Sequence, residues 1–217
     1  MGFLDKPFTP YDEKVVSDRR ELGTVGGKIF GYDQDELGWE ARKDDFLTKL
    51  LDKREQYYAN VEGDSGGKTI WGLTTSTYGK KYIDDLEKME PTDSKKIAKE
   101  KYQEDHLAEA EELFGRSDMA LKFADISINT GRSNALGILQ NALNRLLPAS
   151  HQLSVDRALG NETKKAIANV QALFSPAKIQ NALAESQMDY YQRLSNTEDF
   201  PGWTQGPSGR AFFDPSK

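Results

Sequence analysis

The stretch from Ala59 to Gly79, ANVEGDSGGKTIWGLTTSTYG, constrains the fold of this chain more than any other. It carries five glycines, at 63, 66, 67, 72 and 79, and a helix interior would lose roughly 1 kcal/mol at each of them. Thr69, Ile70 and Trp71 beside them are strand formers. The segment therefore predicts a small β-hairpin or ribbon. Immediately before it, EARKDDFLTKLLDKREQYY (residues 40–58) places Phe46, Leu47, Leu50, Leu51, Tyr57 and Tyr58 on one helical arc of about 140°. Glu55 falls about 40° beyond Leu51, just off the edge of that arc. Arg54 falls inside it and is either paired or snorkelling. The richest polar and glycine cluster thus sits where a helix passes into a ribbon.

Elsewhere the pattern is helical. Residues 1–38 show no sustained period and read as an irregular arm. Thr92 to Phe114 reads as a charged helix with Thr92 or Ser94 as N-cap. Its Lys/Glu run from Lys95 to Glu112 reads as a solvated face and His106 as a surface residue. Ser117 should cap a helix carrying Met119, Ala120, Phe123, Ala124 and Ile128, which stops at Asn129-Thr130-Gly131. A further helix is expected from about Ser133 to Leu147, where Pro148 ends it. Two more follow a loop, Glu162–Phe174 and Pro176–Leu194, the second with proline in its first turn. Residues 195–217 look loop-like. The expected fold class is mainly α with one small β element. The expected organisation is an arm (1–40), a catalytic part (41–135) and a helical part (136–217).

Composition narrows the chemistry. The 217 residues include no cysteine, which excludes disulfide scaffolds, thiol redox chemistry and cysteine nucleophiles. The two histidines, His106 and His151, lie far apart, and a catalytic zinc site usually takes two or three. No metal and no cofactor are expected. No G-x-S-x-G elbow is present. A formal net charge of −6 argues against a nucleic-acid partner. No run approaches the ~18 apolar residues of a membrane span, and the opening MGFLDKPFTPYDEK has no apolar core of a secretory signal. What is left is carboxylate chemistry.

Glycosidic cleavage needs two carboxylates flanking the bond, one protonated and one ionised. Glu55, on the rim of an apolar stripe, loses part of its hydration, which favours the protonated acid. Asp64, in a glycine-rich polar turn, stays solvated and ionised. Thr69 follows and could hold the attacking water. Among 35 acids, a Glu and an Asp nine apart arise by chance, so the weight falls on the order of elements: helix end, Glu, Asp, glycines, then a strand with Thr.

That order resembles the phage-type lysozymes, in which Glu, eight residues, Asp, five residues and Thr span a helix end and a three-stranded ribbon. Here the second gap is four. The chain resembles glycoside hydrolase family 108 more closely. Glu55-Gln56-Tyr57-Tyr58, Asn60, Asp64-Ser65-Gly66-Gly67-Lys68-Thr69 and Gly72-Leu73-Thr74 look like its E-G-G-Y, N and D-x-G-G-x-T-x-x-G-I-T. Asp125, Asn129 and Gly131 resemble its D-x-x-x-N-x-G. Leu139-Gln140-Asn141-Ala142-Leu143 resembles L-Q-x-A-L, and Val155-Asp156, Gly160 and Thr163 resemble V-D-G-x-x-G-x-x-T. Tyr190-Tyr191 and Gly202-Trp203 complete a similarity over about residues 44–204. Gln56 and Tyr57 stand where the family has two glycines, and Arg157 stands where it has one. Arg210 lies further from Gly202-Trp203 than the family's arginine does.

The resemblance implies a mainly α, α+β lysozyme-like fold. The activity it implies is a muramidase cleaving the β-1,4 bond between N-acetylmuramic acid and N-acetylglucosamine in peptidoglycan glycan strands. Glu55 would be the acid, Asp64 the second carboxylate and Thr69 the water holder. Tyr58 and Trp71 would either stack on sugar faces or serve as packing. Asn129 would either end its helix in a left-handed conformation or contact a substrate amide. Asp125 would be either a solvated helix acid or a cleft residue one turn from Asn129. Two alternatives stand beside the muramidase. One is a lytic transglycosylase, which needs only the Glu. The other is a non-catalytic wall-binding or virion structural protein. The expected setting is synthesis in the cytoplasm and action on the cell wall, as a phage endolysin, a virion component or a secretion-linked enzyme. In that setting the arm would dock to the phage particle or secretion machine.

Overall fold

A computed structural model describes residues 36–53, 55, 57–60 and 66–194. The arm before Glu36, together with Arg54, Gln56, Asp64, Gly202-Trp203 and Arg210, lies outside the described residues. The architecture is mainly helical with one three-stranded antiparallel sheet, the lysozyme-like class expected. The chain divides into two compact units, Asp35–Glu109 and a second whose described residues are 110–194.

The first unit opens with helix α1, Glu36–Lys53. It starts four residues before the expected Glu40 and takes Trp39 out of the supposed arm. Trp39, Lys43, Phe46, Leu47, Leu50 and Leu51 are all buried, and their spacing of three and four residues makes one continuous apolar stripe. Lys43 reaches the stripe's edge to pair with Glu40 at 2.8 Å. The helix stops before Glu55, whose amide reaches back to the Leu50 carbonyl at 3.1 Å. Tyr57 and Tyr58 therefore do not extend the helical arc, contrary to the periodicity. Their backbone is claimed by the sheet, where tyrosine is a favoured residue.

The sheet comprises β1 (Tyr58–Ala59), β2 (Thr69–Ile70) and β3 (Leu73–Thr74) in that order. Tyr58 pairs with Ile70 and Ala59 with Thr69; Thr69 pairs in turn with Thr74 and Ile70 with Leu73. Ile70 and Leu73 are buried. Trp71 falls outside the strand, in the tight turn from β2 to β3.

Two short helices absent from the sequence reading follow, α2 (Thr75–Tyr78) and α3 (Lys80–Glu87). Thr74 caps α2 through its side chain, and Ile83 and Leu86 anchor α3 in the core. Helix α4 runs Pro91–Tyr102 with proline in its first turn and Glu90 as the cap residue. Ser94 is thus inside the helix and not its cap; its hydroxyl bonds back to the carbonyls of Glu90 and Pro91. The charged helix expected to reach Phe114 unbroken is interrupted by a π-helical turn, Gln103–Leu107, before α5, Ala108–Phe114. An i→i+5 turn brings residues five apart toward one face, and Tyr102 and Leu107 are both buried. Nor is the Lys/Glu run only a solvated face. Lys95 pairs with Asp52, and Lys99 with Asp44 and Thr48 at 2.6 and 2.7 Å, tying α4 along α1.

In the second unit, α6 (Asp118–Thr130) is buried continuously from Met119 to Ser127, as a helix packed on all sides must be. Ser117 caps it, accepting from the Ala120 amide, and Gly131 at φ 78° ends it. Helices α7 (Arg132–Leu146), α8 (Asn161–Leu173) and α9 (Pro176–Gln192) match their expected spans. Helix α9 packs mainly on α7, where Arg145 binds Glu185 at 3.1 Å and also Asp189.

Candidate active site

The turn Trp71-Gly72 organises the first unit's polar corner. Trp71 adopts φ 52°, rare for a bulky residue, and Gly72 follows at φ 77°. Such a bend persists only where surrounding bonds over-determine it, and four groups do so. The Trp71 amide donates to the Tyr57 carbonyl at 3.0 Å, and its indole N–H to Ser94 Oγ at 3.1 Å. The Tyr102 hydroxyl donates to the Trp71 carbonyl at 3.0 Å. The indole also meets the Tyr57 ring at 5.2 Å between centroids, and Lys95 Nζ lies 5.5 Å from its ring centre. Helix α4 thus clamps the turn through Ser94 and Tyr102, two residues the sequence reading did not single out for this role.

The clamped turn sets Gly72 against Glu55. A Cβ placed on Gly72 would stand 2.6 Å from Glu55 Oε2 and 2.9 Å from its Cδ, and would also collide with the Tyr102 hydroxyl. Glycine is therefore required twice, for the positive φ and for the space the carboxyl occupies. Glu55 is half-buried beside this backbone.

Thr69 sits on the central strand, and its hydroxyl donates to the Ala59 carbonyl at 3.3 Å. Its oxygen lone pairs are left to accept, which is what holding a water requires. Tyr58, on an edge strand, is 43% exposed and can present its ring to a ligand. Trp71 is more occupied, with its N–H and ring already engaged. The ribbon's far end is fixed by Lys68, which binds Asp84 and Glu87; hydrogen bonds from Lys68 and Lys80 pull the Asp84 carboxyl down to about 2. His106 is not a surface residue. It is half-buried on the π-helical turn with its ring 6.0 Å from that of Tyr102, and burial pushes it below the ordinary histidine range.

The remaining expected site residues belong to the second unit. Asp125 is 0% exposed, which overturns the reading as a solvated helix acid. Asn129 lies within α6, so it is not the left-handed terminator; Gly131 takes that role because only it lacks a Cβ. The Asn129 amide instead donates to the Tyr191 hydroxyl, which also accepts from Gln187 Nε2 at 2.8 Å. The motifs farther along form a hydrogen-bonded knot. Gln140, 1% exposed, donates to Asp156 Oδ1 at 2.7 Å and to the Ala158 carbonyl at 3.1 Å, and accepts from the Arg157 amide at 2.8 Å. The Gln140 and Ala158 hydrogen bonds hold Asp156 below the usual carboxylate range. Among the described residues no group of three or more His, Asp or Glu is placed to hold a metal ion. No helix among them is long and apolar enough to cross a membrane.

Residues 48–131 match the family model described as Glycosyl hydrolase 108, which bears out the resemblance carried by the Glu55–Thr74 and Asp125–Gly131 motifs. That match identifies the segment holding this corner as glycoside-hydrolase-like. No curated protein matches the chain significantly. Among solved structures, that of Brucella abortus SagA is similar at 19% identity with a TM-score of 0.56, covering 83% of this chain and 93% of that one. At such identity the likeness concerns the fold.

Proposed function

We propose that the chain is a muramidase that hydrolyses the β-1,4 bond between N-acetylmuramic acid and N-acetylglucosamine in peptidoglycan. The observation that carries this reading is the Glu55 carboxyl, half-buried against Gly72 at the corner of helix and ribbon, within the segment that matches a glycoside hydrolase family. In this reading Glu55 delivers a proton to the leaving glycosidic oxygen. Asp64, ionised, supports the developing positive charge on the sugar or activates water. Thr69, its own proton directed to Ala59, accepts a hydrogen bond from that water and orients it. Tyr58 offers an exposed ring for a sugar face. A phage-linked or secretion-linked setting, with the residues before Glu36 as docking segment, is the part of the proposal drawn from sequence alone.

The test is purified protein on purified sacculi, with new reducing ends counted. Glu55→Gln is nearly isosteric and should keep the melting curve while losing about 10²–10⁴-fold in rate, the usual worth of a general acid. Asp64→Asn should remove the acidic limb of a bell-shaped pH profile. Wild-type turnover by Glu55→Gln refutes the assignment. Products ending in 1,6-anhydro sugars would make the chain a lytic transglycosylase, and sacculus binding without solubilisation would make it a binding protein.

A further inference from the structure

The Tyr102 hydroxyl stands where the proposed chemistry would feel it. The spot a Gly72 Cβ would fill is flanked by Tyr102 Oη on one side and by Glu55 Oε2 on another. The side chain is 3% exposed, and phenylalanine would fill the same space without bringing a polar atom into the interior. A buried hydroxyl is tolerated when it is bonded, and this one donates its single proton to the Trp71 carbonyl. Toward any other neighbour it can only accept. Tyr102 is also the last residue of α4 before the π-helical turn, and such turns occur frequently at functional sites.

We infer that Tyr102 is a positioning residue for Glu55: its hydroxyl, with its proton committed to the Trp71 carbonyl, turns lone pairs toward the Glu55 carboxyl and holds that group in its protonated, donating form. An acceptor beside a carboxyl favours the acid over the carboxylate, because it bonds the neutral form and repels the charged one. The same bond to Trp71 fixes the left-handed turn, so one side chain shapes the pocket and sets the protonation of its acid. Of the ionisable side chains described around this corner, Lys95 lies over Trp71 and is paired with Asp52, Tyr57 meets the indole, and His106, its ring tilted 6.0 Å from that of Tyr102, is pushed below the ordinary histidine range by burial. The inference rests on the assignment of Glu55 as general acid.

The experiment is Tyr102→Phe in the full chain, with sacculus turnover measured across pH alongside Glu55→Gln. The basic limb should move to lower pH by roughly one unit, an ordinary shift for a carboxyl losing a polar neighbour. Turnover at neutral pH should then fall about tenfold, with KM close to wild type and a melting temperature lowered by the loss of the Trp71 carbonyl's donor. A basic limb that stays in place overturns the inference, whether or not the rate falls. Should the variant not fold, the wild-type Glu55 carboxyl is followed by ¹³C NMR, with Glu55→Gln providing its assignment. Titration at or below the ordinary glutamate range overturns the inference. If Glu55→Gln is itself fully active, the acid assignment has failed; if it is inactive and the Tyr102→Phe limb is unmoved, only the role of Tyr102 has failed.

Discussion

Among the described residues, each of the two units contains one bulky residue in the left-handed region, Trp71 at φ 52° and Arg157 at φ 61°. Each bend lies next to a carboxylate singled out from a motif, and each is pinned by hydrogen bonds from a neighbouring helix. At the Trp71 bend, Ser94 and Tyr102 hold backbone and indole, and the result is a glycine pressed against a half-buried glutamate. At the Arg157 bend, Gln140 holds the backbone, and the neighbouring Asp156 is taken up by Gln140 and by the Ala158 amide at 2.9 Å. The first bend sets a glycine against its carboxylate; the second bonds its carboxylate within its own loop. Strain maintained where backbone is pressed against a half-buried acid points to chemistry, whereas strain beside a carboxylate bonded within its own loop points to the holding of a loop.

The sharpest way to break this contrast is Gly72→Ala. The new methyl would stand 2.6 Å from Glu55 Oε2 and must displace the carboxyl, the Tyr102 hydroxyl or the turn itself. A misplacement of about 1 Å at a reacting group costs roughly 10²-fold in rate, and the positive φ adds roughly 1–2 kcal/mol of strain. Sacculus turnover should fall by about two orders of magnitude while circular dichroism shows a folded protein. Near-normal activity would mean that the packing of Glu55 on Gly72 is irrelevant to catalysis.

Gln140→Leu probes the other bend. It removes the buried Gln140 amide, the shared partner of the Arg157 amide, the Asp156 carboxylate and the Ala158 carbonyl, which lie on exposed residues that water can reach. Stability should fall, read as a lower denaturant midpoint. Activity per folded molecule should stay at the wild-type level. A selective loss of activity with stability intact would place this knot in substrate handling, and the contrast between the bends would fail.

The two bends also differ in how far the sequence could foretell them. Helices α6 to α9 were legible because caps and stops are local chemistry: Ser117, Gly131, Pro148 and Pro176 each act within a few residues of themselves. The ribbon was legible from its glycines. What escaped was set by partners distant in sequence. Tyr57 and Tyr58 continued the helical period and were lost to the sheet, Tyr58 by strand pairing with Ile70 and Tyr57 by the Trp71 amide on its carbonyl. Ser94 looked like a cap because Ser-before-helix is a common signal, yet Pro91 had already started the helix and the hydroxyl serves Trp71 from 23 residues away. The π-helical turn has no local signature beyond two buried residues five apart. Glu55 and Gly72 stood out through their motif, but nothing in the sequence announced that they touch.

The smallest effect is expected where Arg157 replaces a glycine of the resembling family. Arg157→Gly would relieve a left-handed conformation that costs a side chain roughly 1–2 kcal/mol. Against this, glycine adds chain entropy to the unfolded state, worth roughly 0.5–1 kcal/mol. The substitution also removes the exposed hydrogen bond from Arg157 to Asn134 Oδ1 at 3.1 Å and the packing of the arginine stem over Gly137. The terms nearly cancel, so stability should change by less than about 1 kcal/mol, with turnover unaffected. A loss above about 2 kcal/mol in denaturant unfolding would show that the arginine stem on Gly137, and not the Gln140 bond to the backbone, holds this bend. The two bends would then be pinned by different means: the first through hydrogen bonds to its backbone and indole, the second through side-chain packing.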